Sequence, residues 1–126
     1  AGAADESLQH LQAAQSLYAA STREGPALAA VLELEGRAEL ARGAVSAATV
    51  ALERSLAIRE ATLAAPSYEV ASSLLHLAEA RLADQRNDDA AALLRRAIAI
   101  LGARDADSTA LAAARSLLAR ASGGDE

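Results

Sequence analysis

Apolar residues return every three or four positions along almost the whole chain, and short polar or glycine- and proline-bearing stretches interrupt them. That period predicts amphipathic helices. The first covers residues 5–22, with Leu8, Leu11, Ala14 and Leu17 on one stripe and Asp5 and Glu6 suited to a helix N-terminus. Gly25-Pro26 ends it, and Pro26 suits the first turn of a second helix carrying Leu28, Val31, Leu32 and Leu40. Gly43 is the expected left-handed C-cap. A third helix runs from about Val45 to Leu63 with Ala48, Leu52, Ser55, Leu56 and Ile58, and closes before Pro66. Ser67 is the expected N-cap of a fourth, with Val70, Ala71, Leu74, Leu77, Ala78 and Leu82. The polar stretch from Asp84 to Asp88 reads as a turn. The fifth, with Ala90, Leu94, Ala97 and Ile98, is expected to stop at Gly102. The sixth starts at Asp107 or Ser108 and stops before Gly123-Gly124. Short turns between helices of ordinary length make them antiparallel neighbours.

Composition sharpens this reading. The 126 residues suffice for one domain with its own core, and 52% hydrophobic against 23% charged residues is a globular balance. The apolar residues are mostly Ala and Leu, while Tyr18 and Tyr68 are the only aromatics, which favours an all-α fold over a sheet. A net charge of −5 lacks the basic footprint of a nucleic-acid binder and disfavours anionic membranes. No run is long and apolar enough to span a bilayer, and no basic segment with an apolar core opens the chain, so the expected compartment is cytoplasmic. Cysteine is absent, which removes disulfides, thiolate nucleophiles and cysteine-type zinc sites. Every lysine-or-arginine position is Arg; with the abundant Ala, this points to GC-rich coding in a bacterial source or to deliberate engineering. The start at Ala1-Gly2 and the end at Gly124-Asp125-Glu126 read as those of a piece of a longer protein.

The second half of the chain repeats the first at a displacement of forty-two residues. Ala29 meets Ala71, Leu32 meets Leu74, Ala38 meets Ala80, Leu40 meets Leu82 and Ala41 meets Ala83. Ala48 meets Ala90, Leu52 meets Leu94, Arg54 meets Arg96, Ala57 meets Ala99 and Ile58 meets Ile100. Small residues also meet small ones (Gly36 with Ala78, Ser55 with Ala97), and Leu56 meets Ile98. The order Ser55-Leu56-Ala57-Ile58-Arg59-Glu60-Ala61-Thr62-Leu63, then Glu69-Val70-Ala71-Ser72-Ser73-Leu74-Leu75-His76-Leu77-Ala78, resembles the tetratricopeptide repeat family in its forty-two-residue form, found in kinesin light chains and many bacterial signalling proteins. The run from Asp88 to Ile100 is similar to that family's second helix. Gln85 replaces a usual Gly, Tyr68 a usual Pro, and Glu35 an expected apolar residue.

The resemblance implies antiparallel helix-turn-helix repeats stacked as a right-handed superhelical solenoid of about six helices. One domain would cover residues 1–122: an orphan helix at 5–22, repeats at 26–63 and 67–102, a capping helix at 107–121, and a tail at 123–126. Small residues at Gly36, Ala48, Ser55, Ala78, Ala90 and Ala97 would let helices cross, and Leu52 and Leu94 would fill the gap between repeats.

Candidate chemistry is sparse. His76 and Glu79 lie one turn apart and could hold a metal or move a proton, but the only other histidine is His10 and no His-Glu-x-x-His pattern occurs. His76 is therefore read as a solvated or groove-facing side chain. Asp84, Asp88 and Asp89 lack the ligand alternation and closing Glu of a calcium loop. Ser67, Ser108 and Thr109 read as caps, since no serine sits in a nucleophile elbow. No Gly-rich phosphate loop occurs. The expectation is a non-enzyme with no cofactor and no metal.

What remains is surface. The resemblance implies that the first helix of each pair lines a concave groove. That places Ala30, Glu33, Leu34, Arg37 and Leu40 on it from one repeat, and Ser72, Leu75, His76, Glu79 and Leu82 from the next. Leu117, Leu118 and Arg115 extend it. Leu34, Leu75 and His76 stand where kinesin-light-chain repeats often carry Asn. The expected function is a protein-interaction module, a scaffold or peptide-binding groove, of a larger regulatory or signalling protein. Its partner would be a protein or peptide, not nucleic acid or membrane. The alternative is a structural spacer or dimerisation segment, because Leu8, Leu11 and Leu17 need cover, from an upstream helix of the full protein or from a second copy in a homodimer formed through the first helix.

Overall fold

The computed structural model describes residues 25–63 and 67–123, and the helix expected over 5–22 lies outside them. The described residues are all-α, without a strand. The five helices are α1 (Gly25–Ala41), α2 (Val45–Thr62), α3 (Tyr68–Ala83), α4 (Asn87–Arg104) and α5 (Thr109–Ala121).

The sequence places the helix ends through caps. The Ser67 side chain accepts a hydrogen bond from the Val70 amide at 3.3 Å, and Ser108 accepts one from the Leu111 amide at 3.1 Å. Each satisfies one amide that the first turn leaves without a helical partner. At the other end of α1, Gly43 adopts φ +83°, and the Ala44 amide reaches the Glu39 carbonyl at 2.8 Å while Gly43 reaches Leu40 at 3.0 Å. That is a Schellman closure. The turn after α3 repeats it: Arg86 reaches Arg81 at 2.8 Å and Gln85 reaches Leu82 at 3.0 Å, with Gln85 at φ +61°. The aspartates of that turn pair with Arg86, which bonds Asp84 at 3.1 Å, as a helix turn requires.

One boundary differs from expectation. α4 does not stop at Gly102 but continues to Arg104, with Asp105 extended as its cap. Gly102 keeps no positive φ and has open space around its Cα, so nothing forces a turn there. Its cost inside a helix is only about 1 kcal/mol relative to Ala, which burial of the neighbouring Leu101 offsets.

Each helix packs on its neighbour in sequence, most extensively within the pairs α1–α2 and α3–α4; α1 also touches α3, and α3 touches α5. Burial follows the forty-two-residue displacement. Ala29 and Ala71, Leu32 and Leu74, Ala48 and Ala90, Leu52 and Leu94 are all fully buried. Leu52 and Leu94 each contribute roughly 1.5–3 kcal/mol by leaving water. Gly36 shows why small residues recur at the crossings. A Cβ there would lie 2.5 Å from Leu52 Cγ and 3.3 Å from the Ala48 carbonyl oxygen.

Candidate functional site

α1 and α3 present the expected groove residues in three different settings. Arg37, Leu40, His76 and Glu79 converge: with Ala41 they line one open depression of about 280 Å3 between the two helices. Within it the His76 Nδ1 and Glu79 carboxylate are 2.8 Å apart. The i,i+3 spacing on one helix face makes that contact. The His76 side chain is largely buried and that of Glu79 more open. Arg37 is exposed, and among the described residues its guanidinium has no hydrogen-bond or ion-pair partner.

Leu75, Leu82 and Leu118 lie elsewhere. They are half-buried and pack, with Leu117, against the core formed by α3, α4 and α5. Their side chains pack on that core and keep part of their surface in solvent. Leu34 is the opposite case, 61% exposed on α1, and Val31, Ala30, Ala27 and Ala38 are exposed on the same helix.

Glu33 needs correction. Expected on the open groove face, it is only 9% exposed and its carboxylate belongs to a buried polar network. Arg59 Nη1 of α2 donates to Glu33 Oε1 at 2.5 Å, to Ser73 Oγ at 2.8 Å and to the Glu69 carbonyl at 3.0 Å. The Ser72 hydroxyl, also expected on the groove, donates to Glu33 Oε2 at 2.9 Å. Ser55 donates to the Ala29 carbonyl at 2.7 Å and lies 3.4 Å from the Ser73 hydroxyl. A charge buried this deeply persists only when paired and hydrogen-bonded, and both conditions are met.

Nothing within α2 or α3 alone marks Arg59 and Ser73 as partners, because their contacts run between helices. A signal existed in the repeat itself. Glu33 corresponds to Leu75 and Arg59 to Leu101, so two leucines of one repeat are replaced in the other by opposite charges. In α3–α5 those positions are apolar, with Leu101 in the core and Leu75 packed against it.

Two further ion pairs, Arg81 with Glu53 at 2.5 Å and Arg96 with Glu60 at 2.6 Å, tie α3 and α4 to α2 at exposed edges. Such pairs contribute at most about 1 kcal/mol each. Among the described residues no group of three or more His, Cys, Asp or Glu side chains could hold a metal ion. No described helix is long and apolar enough to cross a membrane. Compared with known protein families and with curated protein sequences, the chain matches none.

Proposed function

We propose that this chain is a protein-interaction module of a larger regulatory or signalling protein, built from two tetratricopeptide-like helix pairs and stacked as a right-handed solenoid. The observation that carries the reading is the convergence of Arg37, Leu40, His76 and Glu79 on one open depression between α1 and α3. Burial that repeats every forty-two residues supports the repeat architecture. The exposed apolar residues Leu34 and Val31, one turn apart on α1, support contact with another protein, since apolar side chains on one face gain most when a partner removes them from water. The module is not an enzyme in this reading, and it takes no cofactor. Its arginine- and alanine-rich composition supports a bacterial source.

A displayed peptide library selected against the purified chain tests the proposal. Binders are expected, and Leu34→Glu is expected to abolish their binding while the protein stays folded. Selection of no binder, or binders indifferent to Leu34→Glu and Arg37→Glu, would count against it.

Leu75, Leu82 and Leu118 favour a second reading for their part of the face. They pack on the core, so there the surface serves the stack, as in a spacer without a dedicated ligand.

A further inference from the structure

We propose that the buried network of Glu33, Arg59, Ser72 and Ser73 is a matching device: it lets α2 accept α3 and refuse α5, so that copies of this chain do not exchange helices. The device governs the order in which helices stack, and it holds whether or not the depression between α1 and α3 takes a ligand.

The need for it follows from the likeness of α3 and α5. Each starts at a capping serine, Ser67 or Ser108, and packs on the helix before it. Counted from those caps, Val70 matches Leu111, Leu77 matches Leu118 and Ala80 matches Ala121. The α3 members of these matches share a core with Leu52 and Leu56 of α2, and the α5 members share one with Leu94 and Leu101 of α4. The receiving helices are alike as well, since Leu52 and Leu94 are equivalent in the repeat and both fully buried. Apolar contact is non-directional, so it does not tell α3 from α5. By that contact alone, a second copy's α5 would fit α2 and its α3 would fit α4, which is the exchange of a domain swap.

The polar residues do tell them apart. Where α2 meets α3, Arg59 donates to Ser73 Oγ at 2.8 Å. Ser73 donates to Glu33 Oε1 at 3.3 Å and Ser72 to Glu33 Oε2 at 2.9 Å. Where α4 meets α5, every counterpart is apolar. Leu75 stands for Glu33, Leu101 for Arg59, and Ala113 and Ala114 for Ser72 and Ser73. Ser73 and Ala114 are both fully buried.

An α5 seated on α2 would bring Ala113 and Ala114 to the Glu33–Arg59 pair and strip it of both hydroxyl partners. An α3 seated on α4 would bury the Ser73 hydroxyl against Leu101 without its charged partners. Each mismatch leaves buried polar groups short of partners, which weighs on the order of tenfold per group in the stacking equilibrium. A single buried polar residue fixes register in coiled coils by the same means. Arg81 also has an unlike counterpart, Ser122, but its pair with Glu53 lies at an exposed edge and discriminates weakly.

Refolding of the full chain tests the device. Monomer is isolated by size exclusion; one half is unfolded in urea and refolded at high concentration, and the other is kept folded at that concentration. Helix exchange needs α3 to leave α2, so the dimer gained on refolding measures it, and association through exposed surfaces is subtracted. The unaltered chain is expected to gain none. Ser72→Ala/Ser73→Ala keeps the ion pair and makes α3 resemble α5; it is expected to raise the dimer on the order of tenfold. Adding Ala113→Ser/Ala114→Ser, which hands the hydroxyls to α5, is expected to raise it further. Ala78→Gly lowers stability without touching the network and is expected to match the unaltered chain. The proposal is overturned if Ser72→Ala/Ser73→Ala gains no dimer, if Ala78→Gly gains as much, or if the serines placed on α5 leave the gain unchanged or lower it. Should the double variant fail to refold, Ser72→Ala alone carries the same expectation and the same refutation.

Discussion

Gln85 lies forty-two residues after Gly43, and both hold the left-handed backbone that closes the first helix of their pair, at φ +61° and +83°. The hydrogen bonds around them are the same, so the turn imposes the conformation on whichever residue stands there. For Gly it is strain-free; for a residue with a Cβ it costs roughly 1–2 kcal/mol. Gln85→Gly is therefore expected to stabilise the protein by about 0.5–1 kcal/mol, after Gly's extra freedom in the unfolded chain is subtracted. Gly43→Gln is expected to lose a similar amount. Urea denaturation midpoints of the two variants check both signs.

The Glu33–Arg59 pair makes a second prediction. Removing one partner leaves the other charge buried without its counter-charge, with only neutral hydrogen-bond partners, so Glu33→Leu or Arg59→Leu alone is expected to cost about 3–5 kcal/mol. The double variant Glu33→Leu/Arg59→Leu copies the residues that the other repeat uses, Leu75 and Leu101. It is expected to recover most of that loss, because an apolar pair of similar volume replaces an ion pair at little net cost. A double-mutant cycle by urea denaturation measures the coupling. Losses that simply add would contradict the account.

Gly36→Ala tests the crossing of α1 and α2. Alanine is the better helix former by roughly 1 kcal/mol, but its Cβ would overlap the fully buried Leu52 side chain. The overlap is expected to win, with a net loss of about 1–2 kcal/mol in thermal or chemical denaturation. Ala78, the counterpart on α3, occupies the equivalent position without a known conflict, so Ala78→Gly is expected to destabilise through helix propensity and a small cavity.

Two groove leucines should separate on stability alone. Leu34→Glu changes a side chain in water and is expected to move the unfolding free energy by no more than about 0.5 kcal/mol. Leu75→Glu places a carboxylate against the core of α3, α4 and α5 and is expected to cost about 1–3 kcal/mol. Comparing their denaturation curves decides which positions can serve as binding probes.

The helices, their caps and the forty-two-residue period were legible in the chain because they depend on local chemistry. Ser67 and Ser108 cap because a short oxygen-bearing side chain can reach an amide three residues on. Leu32, Leu52, Leu74 and Leu94 are buried because a helix has one apolar stripe and it must face other helices. Gly102 predicts an end that α4 overruns by two residues, because a glycine permits a turn without requiring one.

The candidate site was only half legible. Arg37, Leu40, His76 and Glu79 could be assigned to one face by helical spacing and the repeat, and they do share a depression. Glu33 could not be assigned, because its direction depends on Arg59, twenty-six residues away on another helix. Sequence by itself determined which stripe of each described helix is apolar and, the end of α4 apart, where each begins and ends. Tertiary structure alone decided which polar residues were free to meet solvent and which were used up inside: a charged side chain follows its counter-charge, and only packing brings α1, α2 and α3 close enough for Glu33, Arg59 and Ser73 to find one another.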